Sequence, residues 1–338
     1  MGHRYRALRR RILTPGLAAT QVDVRGFHRK DDASAQLLEQ IGRTFLAGYG
    51  SAAEAVTIAD AEAELELIPT RFRGFAYEGA GMGFAVRDGL PLGPTDLVGR
   101  FLAGPGEPHV YMVYVGVGWA MARLPKFRWP RAEQLDPTLH WLLLDGYGFH
   151  QAYFHTRKYV HQHYQDPDFG WPSRGQSAYA NRVIDQGIGR ALWFVCGSDA
   201  RLTAATVETF AVSRRADLYS GIGLAATYAG GVREAELHTL WELAGPYRRH
   251  LAQGSAFAAE CRVRADLLTP HTALATAVLC ASSAETAARI TAEQRPAGDD
   301  RDGTPAFEVW RRRIADAFAG YAQGGVPATV ASVQSRPV

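Results

Sequence analysis

Five polar residues stand at equivalent places in otherwise apolar stretches of this chain, and their types suit proton transfer and hydrogen bonding. Glu78, Asp145, Gln186, Ser220 and Gln253 each precede the first glycine of a recurring signature: Gly, any residue, Gly or Ala, any residue, then usually a small residue. Val115 holds that place in the one apolar copy. A carboxylic acid in apolar surroundings has a raised pKa and can give up a proton near neutrality. Glu78 and Asp145 are therefore candidate acid–base residues, with Gln186, Ser220 and Gln253 as substrate-binding groups beside them. His150, in the small-residue slot of the third copy, is a third catalytic candidate, although a lone histidine in an apolar helix also serves as a satisfied core residue. If the copies share one level, these side chains converge into a polar collar; otherwise each bonds a neighbouring helix and fixes packing.

The elements that must position them follow from the repeat. The copies start their glycines at Gly79, Gly116, Gly146, Gly187, Gly221 and Gly254, at intervals of 37, 30, 41, 34 and 33 residues, the spacing of helix-pair repeats. Segments between them (residues 35–46, 95–102, 203–212 and 234–243) are two-faced at helical period, whereas the signature segments, such as residues 109–124 and 191–195, are apolar all round and belong in an interior. The pattern predicts a mainly α protein: a single helical toroid, an (α/α)6-like double ring of six inner and six outer helices around a central apolar cavity. Residues 109–117 and 192–196, rich in Val, Tyr, Trp and Phe, leave a mixed α/β reading open.

Each glycine within a helix costs about 1 kcal/mol relative to alanine, so the twelve in the signatures must be offset by something. Two offsets are open. The glycines could thin the inner wall and form a channel for a slender hydrophobic chain, flanked by Tyr114, Trp119, Phe149, Tyr219 and Phe257. Alternatively they only tighten contacts between helices in a solid core.

Along the chain, residues 1–30 read as a basic N-terminal arm carrying the run from Arg4 to Arg11, residues 31–294 as the helical repeat, residues 295–323 as a linker and closing helix, and residues 324–338 as a disordered tail. There are 37 Lys and Arg against 34 Asp and Glu, a balance without the basic surplus of a nucleic-acid binder. No stretch of 18 uncharged apolar residues occurs and the start lacks a secretory signal, so a cytoplasmic protein without stable membrane insertion is expected. Cys196, Cys261 and Cys280 suggest no disulfide framework.

Cofactor chemistry finds no foothold. The Gly-x-Gly elements lack the third glycine and the strand of a dinucleotide site, and no phosphate loop or nucleophile elbow occurs. His150, His155, His161 and His163, with Asp166 and Asp168, miss the spacing that puts two ligands on one helix face, so no metal site is expected. Asp299-Asp300-Arg301-Asp302 lies in a Pro/Gly-rich linker and reads as a solvated turn.

Tyr77-Glu78-Gly79-Ala80-Gly81-Met82, Phe194-Val195-Cys196-Gly197-Ser198-Asp199, the stretch from Arg215 to Ala225 and that from Tyr247 to Ala258 resemble an actinobacterial family of unknown function, the UnbL-like proteins of enediyne antibiotic clusters. The resemblance spans about residues 74–265 and carries no catalytic residues to transfer. It implies an accessory protein in a pathway where an iterative polyketide synthase makes a long conjugated polyene, with that synthase or other pathway enzymes as partners. The expected ligand is thus a long hydrophobic polyene, bound and isomerised or cyclised by Glu78 and Asp145. The alternatives are an isoprenoid cyclase without the usual Asp-rich motifs, and a non-catalytic polyene carrier. The inner-ring glycines also resemble helical-toroid enzymes such as lanthionine cyclases, at the level of architecture only.

Overall fold

The structure is a computed structural model, described over residues 16–91, 95–298 and 303–320. The run from Arg4 to Arg11, Asp299-Asp300-Arg301-Asp302 and the tail at 324–338 lie outside the described residues. Among those described the chain is mainly helical with no strand, so the segments rich in Val, Tyr and Trp are helices.

The helices are α1 (Val22–Arg25), α2 (Asp32–Glu54), α3 (Ile58–Glu66), α4 (Thr70–Asp88), α5 (Leu97–Leu102), α6 (Val110–Met121), α7 (Leu142–Phe154), α8 (Ser177–Val195), α9 (Ala200–Glu208), α10 (Val212–Tyr228), α11 (Glu234–Ala244), α12 (Arg248–Arg264), α13 (Pro270–Leu279), α14 (Ala284–Glu293) and α15 (Ala306–Ala317). Side-chain caps set several starts: Asp31 accepts from the Ser34 amide at 2.7 Å, and Asp199 accepts from the Arg201 and Leu202 amides. The helix expected over 203–212 instead spans Ala200–Glu208, and α10 begins at Val212.

The signature segments lie on α4, α6, α7, α8, α10 and α12, and each packs against the next in chain order. The shorter helices between them touch one another, α3 with α5, α9 with α11 and α11 with α13. Between α6 and α7 the chain offers only short 3-10 turns, and after α7 a π-helical turn at Arg157–His161. Residues 16–30 pack against this body, with Val22 and Phe27 buried.

The glycines decide how the long helices meet. A Cβ added to Gly116 would lie 2.0 Å from the Glu78 carbonyl oxygen, and one on Gly81 would lie 2.7 Å from that of Val113. The same reciprocal contact recurs at every later junction. The first glycine faces the carbonyl of the residue preceding the signature on the previous helix: Gly146 faces Val115, Gly187 faces Asp145, Gly221 faces Gln186 and Gly254 faces Ser220. The second glycine faces forward: Gly118 to Leu143, Gly148 to Ile184, Gly189 to Leu218 and Gly223 to Leu251. Adjacent helices therefore touch backbone to backbone, a gain in contact that offsets the propensity cost of glycine.

This corrects one expectation. Gly79, Gly116, Gly146, Gly187, Gly221 and Gly254 are not channel-forming, because each aims at the neighbouring helix rather than at a central space. A second correction concerns residues 35–46, read as a connecting helix. They belong to α2, which carries a degenerate copy, Phe45-Leu46-Ala47-Gly48-Tyr49-Gly50; Gly79 faces the Phe45 carbonyl at 2.0 Å, and Gly48 that of Ala76 at 1.9 Å.

Candidate functional site

The residue before the first glycine and the one four positions later lie one helical turn apart on the same face. With the glycines turned to the neighbouring helices, this face looks between them. It carries Phe45 on α2, Glu78 and Met82 on α4, Val115 and Trp119 on α6, Asp145 and Phe149 on α7, Gln186 and Arg190 on α8, Ser220 and Leu224 on α10, and Gln253 and Phe257 on α12. Eleven of these thirteen side chains line two cavities that meet at a wall made of Met112, Arg190, Leu224 and Tyr228, while Ser220 and Gln253 lie behind the second.

The larger cavity measures about 450 Å³, within the ~300–1,000 Å³ typical of small-molecule sites. Its walls are mostly apolar and aromatic, from α2, α4, α6, α7, α8 and α10. The Trp119 ring lies 4.5 Å from Phe45 and 5.0 Å from Phe149, centroid to centroid. Glu78, Arg190, His150 and Thr20 are the buried polar residues in this wall, and Arg123 and His155 lie at its exposed end. The smaller cavity, about 30 Å³, has room for about one water.

Where the cavities meet, the polar residues form one hydrogen-bonded chain. Trp119 Nε1 donates to Glu78 Oε1 at 3.1 Å, and Arg190 Nη2 lies 3.7 Å from the same oxygen. Arg190 Nη1 donates to Asp145 Oδ1, and Gln186 Nε2 donates to Asp145 Oδ2 at 2.7 Å. Ser220 Oγ lies 3.2 Å from Gln186 Oε1 and 2.6 Å from Gln253 Oε1. Gln253 Nε2 is left buried without a partner. Turning its amide over lets Nε2 donate to Ser220, Ser220 to Gln186 and Gln186 to Asp145, a relay with one direction.

Two carboxyl groups thus share one guanidinium, all three residues being at most 5% exposed. Arg190 is closer to Asp145, and the consequence falls on Glu78. Burial pushes its carboxyl up to about 7; Arg190 holds it down in part, and the nearby Asp145 raises it further. Both contacts of Glu78 engage Oε1, so Oε2 is left for a group in the cavity. His150 moves the other way: burial, then the charges of His155, Arg123 and Arg25, bring it down to about 3, so it is neutral at pH 7. Its Nδ1 is buried and has no hydrogen-bond partner.

The structure therefore gathers Glu78, Asp145, Gln186, Ser220 and Gln253 into one network, and places Trp119, Phe149 and His150 on the larger cavity and Phe257 on the smaller. Tyr114 and Tyr219, expected on the channel, line neither. The Tyr114 hydroxyl accepts from the Asp136 amide at 3.1 Å, and Tyr219 stacks on Tyr247 with centroids 5.3 Å apart, because each sits one residue off the inward face. Arg190 was not anticipated, although it is the one charged residue four positions after the signature's polar slot. The three cysteines are free and buried. Among the described residues no three His, Cys, Asp or Glu side chains gather as a metal site would need, and no helix is long and apolar enough to cross a membrane.

These features define a helical protein with an aromatic cavity and a buried acid pair on its wall. A family model described as "Protein of unknown function (DUF1702)" matches residues 4–318, and the chain belongs to that family. No curated protein and no solved structure matches it.

Proposed function

We propose that the larger cavity binds a long hydrophobic conjugated polyene and that Glu78 exchanges protons with it, promoting isomerisation or cyclisation. One observation carries this reading: a carboxyl group brought to about 7 by burial stands on the wall of an aromatic cavity of about 450 Å³. A group with that pKa exists in both forms at neutral pH, as a group that gives and retakes a proton must.

The step balances without a cofactor. The Glu78 carboxyl protonates one carbon of the conjugated system, whose π pair forms the new C–H bond. The delocalised cation then loses a proton from another carbon to the Glu78 carboxylate, or is first trapped by a second double bond to close a ring. Asp145 takes up most of the Arg190 charge, while the aromatic wall of Trp119 and Phe45 stands beside the cation. Gln186, Ser220 and Gln253 hold Asp145 in place.

The finer architecture belongs to the same proposal: the glycine-bearing helices form an inner ring around the cavity and the short helices an outer one. In support, six helices from α2 to α10 contribute to one cavity. The resemblance over residues 74–265 favours an enediyne polyketide pathway in the cytoplasm, with a polyketide synthase as the source of the polyene.

The test is to incubate the protein with a conjugated tetraene in D2O and recover the lipid. Wild type should incorporate deuterium and shift the absorption bands, whereas Glu78→Gln should bind the tetraene unchanged. Equal deuterium incorporation by the variant would remove Glu78 from the chemistry, and absence of binding would remove the cavity reading.

A further inference from the structure

The two ends of the larger cavity differ in charge. At depth stand Glu78 and, behind Arg190, Asp145. At the exposed end stand Arg123 and His155, and the cavity shares Phe154 and His155 with a surface depression of about 590 Å³ that is also lined by Arg25, Arg157 and Lys158. Among the described residues no Asp or Glu lines that depression, and Glu78 is the one acid lining the cavity. This end reaches His150, which burial and then His155, Arg123 and Arg25 hold down. Arg25 is held over the Phe154 ring at 4.9 Å and donates through Nη2 to the Tyr153 carbonyl, so its charge is fixed beside the mouth.

A second observation is independent of these side chains. His150 is 7% exposed, lines the cavity and leaves Nδ1 without a hydrogen bond. A buried polar group is normally satisfied, so an orphan at the wall of a cavity marks where a ligand's polar atom belongs. His150 stands one turn before Phe154 and His155, at the approach to the same mouth.

We infer that the ligand is an amphiphile with an anionic head group, a carboxylate or a phosphate, held at the mouth by Arg123 and His155 with its apolar chain running inward past Trp119 to Glu78. This rests on the cavity reading above and adds the ligand's class and orientation. A positive mouth draws in the head, and the apolar walls take the tail. At about 30 Å³ per water-sized group, 450 Å³ holds a chain of about fifteen carbons. The head then stays at the surface and Glu78 meets the chain, so proton exchange falls on the double bonds rather than on the acid itself.

The experiment uses the full chain with trans-parinaric acid, a fluorescent conjugated C18 acid, and its alcohol. The acid should bind at least about tenfold tighter than the alcohol, the scale of one charge-assisted hydrogen bond. Arg123→Gln with His155→Gln should lower acid affinity about tenfold and leave the alcohol within twofold. Both positions are exposed, and raising the salt on the unaltered protein gives a second readout: acid binding should weaken and alcohol binding should not. Competition by palmitate and by hexadecyl phosphate tells the two head groups apart, and displacement by either supports the inference. Equal binding of acid and alcohol would overturn the anionic head while leaving the cavity reading intact; binding of neither would overturn both.

Discussion

Two of the buried ion clusters among the described residues are built to opposite rules. The cavity cluster holds two acids, Glu78 and Asp145, with a single cation, Arg190. The cluster joining α8, α10 and α15 also holds two acids, Asp217 and Glu308, but with three cations. Arg182 and Arg311 contact both acids, and Arg312 adds a bond to Glu308 at 2.9 Å. The second cluster ties α15 to the repeat, and both of its acids are fully answered. The first is one cation short, and the shortfall falls on the residue facing the cavity. Of these two clusters, the one joining helices has each acid answered by at least two cations, whereas the acid facing the cavity is left under-compensated.

Breaking the shared cation should give the largest effect. Arg190→Met leaves two acids buried without a cation and should cost about 3–5 kcal/mol at pH 8 by urea unfolding. The loss should shrink on acidification, because protonating Glu78 relieves it.

Disturbing the spacing comes next. In Gly187→Ala the new Cβ meets the Asp145 carbonyl oxygen at 2.0 Å, against backbone that cannot swing aside. Overpacking of this kind costs about 1–3 kcal/mol or more. The expected readouts are a lower Tm and loss of polyene binding, since the push separates α7 from α8 where Gln186 meets Asp145.

Glu78→Gln sharpens the contrast by its sign. A carboxyl with a folded pKa of about 7 binds its proton more tightly folded than unfolded. The folded state is therefore favoured most below the unfolded value near 4.5, and that advantage is lost as the pH rises from there to 7. Relative to Glu78→Gln, wild type should lose about 3 kcal/mol across that window. A flat difference between pH 4.5 and 7.5, measured by paired denaturation curves, would show that Glu78 does not titrate there.

The smallest effect belongs to the saturated cluster. Arg182→Met removes a side chain that is 39% exposed and leaves Asp217 with Arg311 and Glu308 with Arg311 and Arg312, so it should cost about 1 kcal/mol, with little change in ligand binding.

Much of this was legible in the chain. The recurring glycines announced helices of one kind, and the polar residue ahead of each pair marked Glu78, Asp145, Gln186, Ser220 and Gln253. The copy on α2 is hidden in the sequence because Leu46 replaces its first glycine. Aromatic type does not report direction, so Tyr114 and Tyr219 read as interior from sequence, yet one residue of offset turns a side chain by about 100°.

Local pattern alone determined that these segments are helices and which residues repeat along them, because helix period and residue size are properties of neighbours in sequence. Which way the small face turns is a property of pairs of helices. Only the packed structure showed that the glycines meet backbone on the adjacent helix, and that the face between them encloses the cavity. Likewise the charge on Glu78 depends on Arg190, 112 positions away in sequence, and on the exclusion of water, neither of which any short stretch of residues contains.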